Sequence, residues 1–384
     1  MSEVIVLNGS YFFPPHIMQV LCNAKHHLTT DKIMSSTASD TPGVTPQSQI
    51  ITSGRGSRTG GSLAGHSVRS RRKHTPYMKS ATSRRLAGVK PQDDQEEPPD
   101  FEGLLKKTWR LYKMTPMYNF SYDNRTLRRH SAVLSAFVEA ESLKGAVVSE
   151  GEVAGKAVIS VYRGLRTNES DSEAIQILVK SKPSTGQGEA KVAVTAVLFG
   201  AGVNEDIQRR LPSSFTWLPL MMVKGPVGIT SSVQSWLQSN FDCHITPMEF
   251  TSTDLSWMVA MWAGVETDIG HKPVELLYRV PQVEGLSSIT YTINAGDCKA
   301  LWDSVHTEER DEFTVEEVEV FTKALESHFY AHFNIFLGHM HLSRAGTGIG
   351  LVSMDGKVKL FQNDHVLRML SHFTQLATEQ LDLR

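Results

Sequence analysis

Four histidines, His328, His332, His339 and His341, come nearest in type and spacing to a metal site. His328 and His332 are four apart, so a helix would carry them on one face, as helical zinc ligands require. Between them stands Phe329-Tyr330-Ala331, without the glutamate of a zinc hydrolase, and no nearby cysteine or carboxylate is an obvious third ligand. Only His339 or His341 could fold back to serve, so these residues read as histidines flanking a helix. Gly346-x-Gly348-x-Gly350 has the look of a phosphate loop. Such a loop must join a strand to a helix N-terminus, and here the glycines lead into a hairpin with no Lys-Ser/Thr after them. Cys22, Cys243 and Cys298 form no CxxC pair, which favours a reducing compartment over disulfides or a cysteine zinc site. There is no G-x-S-x-G elbow, and Trp257 and Trp262 read as core. The residues nominate no catalytic group, no metal and no cofactor, so the expectation is a protein that is not an enzyme.

The elements that would position any site fall into two regimes. Residues 1–100 carry 12 Lys/Arg against 8 Asp/Glu, and the remainder 27 against 33. From Ser35 to Pro99 the chain is rich in Ser, Thr, Gly, Pro, Arg and Gln; it cannot bury enough apolar surface to order itself, so 1–100 is expected to be a disordered basic tail with an acidic end. Arg71-Arg72-Lys73 reads as an import signal or a nucleic-acid contact, and Thr41, Thr45 and Thr75 each precede a proline, the minimal mark of a proline-directed phosphorylation site. Met34 opens this stretch and is a second candidate start. The apolar opening, Val4 to Leu7 and Tyr11 to Phe13, is broken by Asn8-Gly9-Ser10 and Pro14-Pro15; it predicts neither a signal peptide nor a membrane span, hence a soluble intracellular protein with no membrane partner.

Folding is expected over 101–384, in an N-terminal part of about 101–245 and a C-terminal part of about 246–384. Asp123 or Asn124 can cap a helix bearing Leu127, Leu134, Phe137 and Val138. Strand-like runs follow at Ala157–Leu165, Ala174–Lys182 and Lys191–Phe199, then helices at Thr230–Ser239 and Asp254–Trp262. Further strands are predicted at Val274–Val280 and Ser288–Ile293, with a helix over Lys299–Val305. Thr314 and Glu317 make a capping box before the stripe Val318, Phe321, Leu325, Phe329 and Phe333. Strands near Ile335–Leu342, Gly348–Ser353 and Lys357–Phe361 surround the hairpin signal Asp355-Gly356, and a helix from Asp364 to Leu381 closes the chain. Hairpins interspersed with helices predict an α+β fold of curved, mostly antiparallel sheet packed with helices.

Several segments resemble the centromere protein L family. They are Trp109 to Tyr122 (WRLYKMTPMYNFSY), Phe241 to His244, Asp254 to Trp262 (DLSWMVAMW), Lys299 to His306 (KALWDSVH) and Asp355 to Lys359, in order along the folded region only. The resemblance implies an inner-kinetochore subunit of the constitutive centromere-associated network. Such a subunit pairs with centromere protein N and supports kinetochore assembly and chromosome segregation. Other network subunits, and the histone H3-variant nucleosome with its centromeric DNA, are implied partners within that assembly, and the nucleus, at the centromere and kinetochore, is the implied location.

Two contact surfaces are then expected. A C-terminal sheet with an open edge could pair with a partner's strand, which places the partner interface at Leu337, Leu342, Val358 and Leu360. The other reading of these four is intramolecular core. Lys106, Lys107, Arg110, Arg125, Arg128 and Arg129 cluster early in the fold as candidate phosphate contacts for DNA, with a solvated helix face as the other reading. A distinct alternative is a standalone nucleic-acid-binding protein that uses the basic tail.

Overall fold

The computed structural model describes residues 3–9, 83–85 and 101–381, apart from 145–152, 169–170, 183–189, 204, 264, 266–271, 282–285 and 307–311. In chain order the described strands are β1 (Glu3–Gly9), β2 (Ser83–Arg85), β3 (Thr108–Met114), β4 (Met117–Tyr118), β5 (Val153–Tyr162), β6 (Ala174–Lys182), β7 (Val192–Phe199), β8 (Phe215–Thr216), β9 (Leu220–Lys224), β10 (Ile245–Pro247), β11 (Val274–Arg279), β12 (Leu286–Ile293), β13 (Glu312–Thr314), β14 (His341–Gly346), β15 (Gly350–Ser353) and β16 (Lys357–Leu360). The helices are α1 (Asn124–Leu143), α2 (Glu205–Arg210), α3 (Val227–Phe241), α4 (Ser252–Ala263), α5 (Ala295–Val305), α6 (Val315–Phe333) and α7 (Val366–Leu381).

One sheet of 12 strands runs β1-β12-β11-β14-β15-β16-β3-β9-β7-β6-β5, with β10 added on β3. All of its pairings are antiparallel except β1 on β12. The fold is therefore α+β and mostly antiparallel, as the pattern of hairpins and helices predicts. Both expected parts contribute to this one sheet, and they join where β16 pairs with β3.

The period-2 alternation of strands sorts side chains into two cores. Trp109, Leu111, Val197, Phe199, Leu220 and Met222 point into the larger core, built with α4 to α7. Their neighbours Ala196, Leu198, Met221 and Val223 point the other way, into a second core under α1 and α3. Strands β7 and β9 are thus covered on both faces. Farther along the sheet the pattern changes. In β11 and β16 buried residues alternate with Glu275, Leu277 and Arg279 and with Lys357 and Lys359, all exposed or half-buried.

Capping follows the sequence closely. Asp123 accepts hydrogen bonds from the amides of Arg125 and Thr126, and Thr314 and Glu317 form a complete capping box on α6. Gly356 adopts φ +74° at the β15–β16 turn, a conformation that favours glycine. The predicted strand over Ile335–Leu342 is corrected. Residues Leu337–His339 form a short 3-10 turn, and the strand begins at His341 and runs to Gly346. Asn334 in the left-handed region ends α6 and turns the chain, so the apolar spacing here serves a turn packed on a helix.

Of the expected tail, β1 pairs with β12 and β2 with β13. The rest of the tail, with the Arg71-Arg72-Lys73 run and the three Thr-Pro sites, lies outside the described residues. No helix among the described residues is long and apolar enough to cross a membrane.

Candidate interaction surfaces

The four residues expected to meet a partner lie inside the chain. Leu337, Leu342, Val358 and Leu360 are all buried in the larger core. Their strands have no open edge either: β14 lies between β11 and β15, and β16 between β15 and β3. An apolar, alternating strand fits an interior position as well as an edge, so sequence pattern left both readings of these side chains open, and their burial agrees with the intramolecular core.

The β5 end of the sheet is closed from within. Ser131 and Ser135 of α1 accept hydrogen bonds from the backbone amides of Ile159 and Ala157, each at 2.8 Å. A helix thereby satisfies donors on the side of β5 that faces away from β6, one of the ways proteins protect a strand edge.

What the 335–361 region and its flanking helix α6 do present outward is an aromatic pair. Phe336 is 52% and Tyr330 49% exposed, with ring centroids 6.5 Å apart and nearly perpendicular. The His339 ring packs on Phe336 at 5.0 Å. Sequence reasoning missed this pair because Tyr330 sits in a helix and Phe336 beyond its end; only the αL turn at Asn334 brings them together.

Of the four histidines only His328 and His332 come together, with ring centroids 4.4 Å apart on α6. His328 is buried, with its Nδ1 2.5 Å from the Tyr291 hydroxyl, whereas His332, His339 and His341 are exposed. Among the described residues no three His, Cys, Asp or Glu side chains are placed to hold a metal ion. Burial pushes the thiols of Cys243 and Cys298 up to about 11 and about 12, so neither is a ready nucleophile. Gly346 ends β14 and Gly350 starts β15, so the glycine run is a strand connection.

The six basic candidates occupy two places. Arg125, Arg128 and Arg129 are exposed on the first turns of α1, where positive charge opposes the helix dipole and the Asp123 carboxylate at the N-cap offsets it in part. Lys106, in the left-handed region, donates its amide to the Leu360 carbonyl, and the Lys107 ammonium donates to the Gly103 carbonyl. Arg110 lies on β3, directly opposite Val223 of β9 and Lys357 of β16. It lines a recess at the start of α3, to which Lys224 and Lys357 also contribute.

An exposed aromatic pair, a basic helix face and a basic recess, carried on one broad sheet, define a scaffold of the α+β class whose distinctive features are surfaces. A profile of the family described as Centromere protein L matches residues 103–381. Centromere protein L of Bos taurus is 34% identical over 349 residues, covering 89% of this chain and 99% of the relative. Its namesakes in Xenopus tropicalis, at 35% over 316 residues, and Mus musculus, at 36% over 295, cover 81% and 76% of this chain and 90% and 88% of themselves. The chain belongs to the centromere protein L family, and its place is the nucleus, at the centromere and kinetochore.

Proposed function

We propose that this chain is a non-catalytic structural subunit of the constitutive centromere-associated network. It pairs with centromere protein N and supports kinetochore assembly on centromeric chromatin. Family membership supports the reading, and one observation carries its structural form: Tyr330 and Phe336 stand exposed in a region whose other large apolar residues are mostly buried. Aromatic side chains at the centre of an interface contribute far more binding energy than their number suggests. Centromere protein N docks on the outward surface of 335–361 and its flanking helix α6 through this pair, while Leu337, Leu342, Val358 and Leu360 support it from inside.

Co-expression with centromere protein N, followed by a mass measurement, tests both levels. The expected species is a heterodimer, and Tyr330→Ser with Phe336→Ser leaves a folded monomer that no longer co-purifies. Full co-purification of the double variant would exclude this docking surface, and absence of pairing by the unaltered chain would sink the reading itself. Val358→Glu with Leu360→Glu is unsuited to the purpose, because carboxylates at two buried positions disrupt the fold first.

Within the assembly, Arg125, Arg128 and Arg129 contact DNA phosphates. Their common exposure on the first turns of α1 supports this. Phosphate contacts are tolerant of sequence and steeply dependent on salt. Reversing the three charges should lower the DNA affinity of the assembled complex and flatten its salt dependence by about one unit of slope per lost contact. Unchanged affinity and slope would remove the patch from the interface.

A further inference from the structure

A recess of about 260 Å³ opens where β3, β9 and β16 meet the beginning of α3. Its floor follows from register. Residues directly opposite in neighbouring strands share a face, so Arg110 and Lys357 lie side by side, with Tyr112 two residues farther along the same face of β3. Its wall follows from the connection after β9. Gly225 has φ +152°, and a Cβ there would fall 2.6 Å from Cγ2 of Val194 and 2.7 Å from the Ala193 carbonyl oxygen. Glycine therefore lets the chain cross close to β7. Pro226 then starts α3 with no side-chain cap, leaving the first-turn amides without that partner.

Two independent features point to an anion. The uncapped start of the 15-residue helix α3 carries partial positive charge. Thr230, which lines the recess one turn in, is only 5% exposed, and its hydroxyl has no hydrogen-bond partner within the protein. A buried hydroxyl left unpaired costs free energy that a ligand oxygen would recover. Lys224, Arg110 and Lys357 add three cations, none of the described lining residues is acidic, and beside them the Asp355 carboxylate lies 2.7 Å from the Lys357 ammonium. Burial pushes the Asp355 carboxyl up, but the Lys357 hydrogen bond and charge, with Arg110 behind them, bring it below its ordinary value, so it stays ionised. Three cations against one carboxylate leave a net +2.

We propose that this recess binds a phosphomonoester dianion, in the form of a phosphorylated serine or threonine side chain of a partner protein. A phosphomonoester carries about −1.5 to −2 at neutral pH, which matches the site, whereas a backbone phosphodiester carries one charge. A terminal phosphoryl group can also enter end-on and reach the helix start; a diester is flanked by sugar on both sides. Val227, 72% exposed at the rim, offers apolar contact to the peptide that would carry the phosphate.

Calorimetric titration of the full chain at constant ionic strength tests the proposal with four probes: inorganic phosphate, capped phosphothreonine, capped threonine and a short DNA duplex. Phosphate and capped phosphothreonine should bind, and capped threonine should not. Arg110→Gln and Lys224→Gln should each weaken binding about tenfold or more, the usual effect of losing one charge-assisted hydrogen bond. Thr230→Val, with nearly the same shape, should weaken it by a smaller factor. Lys224 is exposed, so its variant keeps the fold, which a thermal melt verifies. Equal phosphate affinity in all three variants, or none in the unaltered chain, would overturn the proposal. So would a duplex that binds more tightly than capped phosphothreonine and is lost in the same variants, because the recess would then hold a nucleic-acid backbone.

Discussion

The two halves of the sheet are covered differently. Strands β7 and β9 have helices on both faces, and their residues are buried in unbroken runs such as Leu220 to Val223. Strands β11 and β16 are buried on one face, and apolar residues alternate with Glu275, Arg279, Lys357 and Lys359. A doubly covered strand is bound to its own protein on every side. A singly covered one keeps a face free for other molecules. The change occurs at β3, where Trp109 and Leu111 enter the larger core while Arg110 and Tyr112 line the recess. Function is therefore expected along this seam and in the C-terminal half.

Paired alanine substitutions give the largest test of that difference. In β9, Met221→Ala and Met222→Ala should each cost about 2–5 kcal/mol, although the two side chains point in opposite directions. In β16, Leu360→Ala should cost a similar amount, while its neighbour Lys359→Ala stays within about 0.5 kcal/mol. Urea unfolding curves supply the four values. Should Met221→Ala prove neutral, the face beneath α3 is not a core and the comparison fails.

A second, smaller effect sharpens the contrast at the β5 end. Ser131→Ala with Ser135→Ala removes the hydroxyls that accept from Ile159 and Ala157. These groups are only part-buried, so water compensates in part and the cost should be about 1 kcal/mol per site. Hydrogen exchange at the two amides should accelerate, and a tendency to self-associate should appear as the strand edge opens. Unaltered exchange would mean that the serines do not protect the edge.

Sequence pattern was most informative where a strand or helix faces one environment throughout. The apolar run of β6, with bounds as predicted, and the capping box of α6 were both legible, because their signals are local. Strand β3 was not read as a strand. Arg110, Tyr112 and Lys113 interrupt its apolar residues, and those long polar side chains include the ones that build the recess. Of the recess residues only Arg110 stood out in sequence. Lys224, Thr230 and Lys357 join it through register and a helix start, which depend on pairings between distant segments. The Gly225-Pro226 pair before a helical run was the one local hint. Val358 and Leu360 were left between edge and core for the opposite reason: they alternate as either kind of strand would, and nothing in a single strand reveals who its neighbours are.

The smallest predicted effect concerns pH and the doubly covered half alone. His130 of α1 packs against Phe120, Trp236 and Phe241. Burial, and secondarily the Arg129 charge, lower its pKa from 6.5. Its neutral form is therefore favoured in the fold, while in the unfolded chain it takes up a proton near pH 6.5. Below that value the unfolded state binds more protons, so stability should fall with falling pH and level off once the folded histidine is also protonated. Above it the group contributes no pH dependence. Thermal melts from pH 7.5 to about 5 should show this decline, and His130→Leu should flatten it. If the decline persists undiminished in that variant, other groups carry it, and the packing of α1 over the second core owes nothing to a neutral histidine.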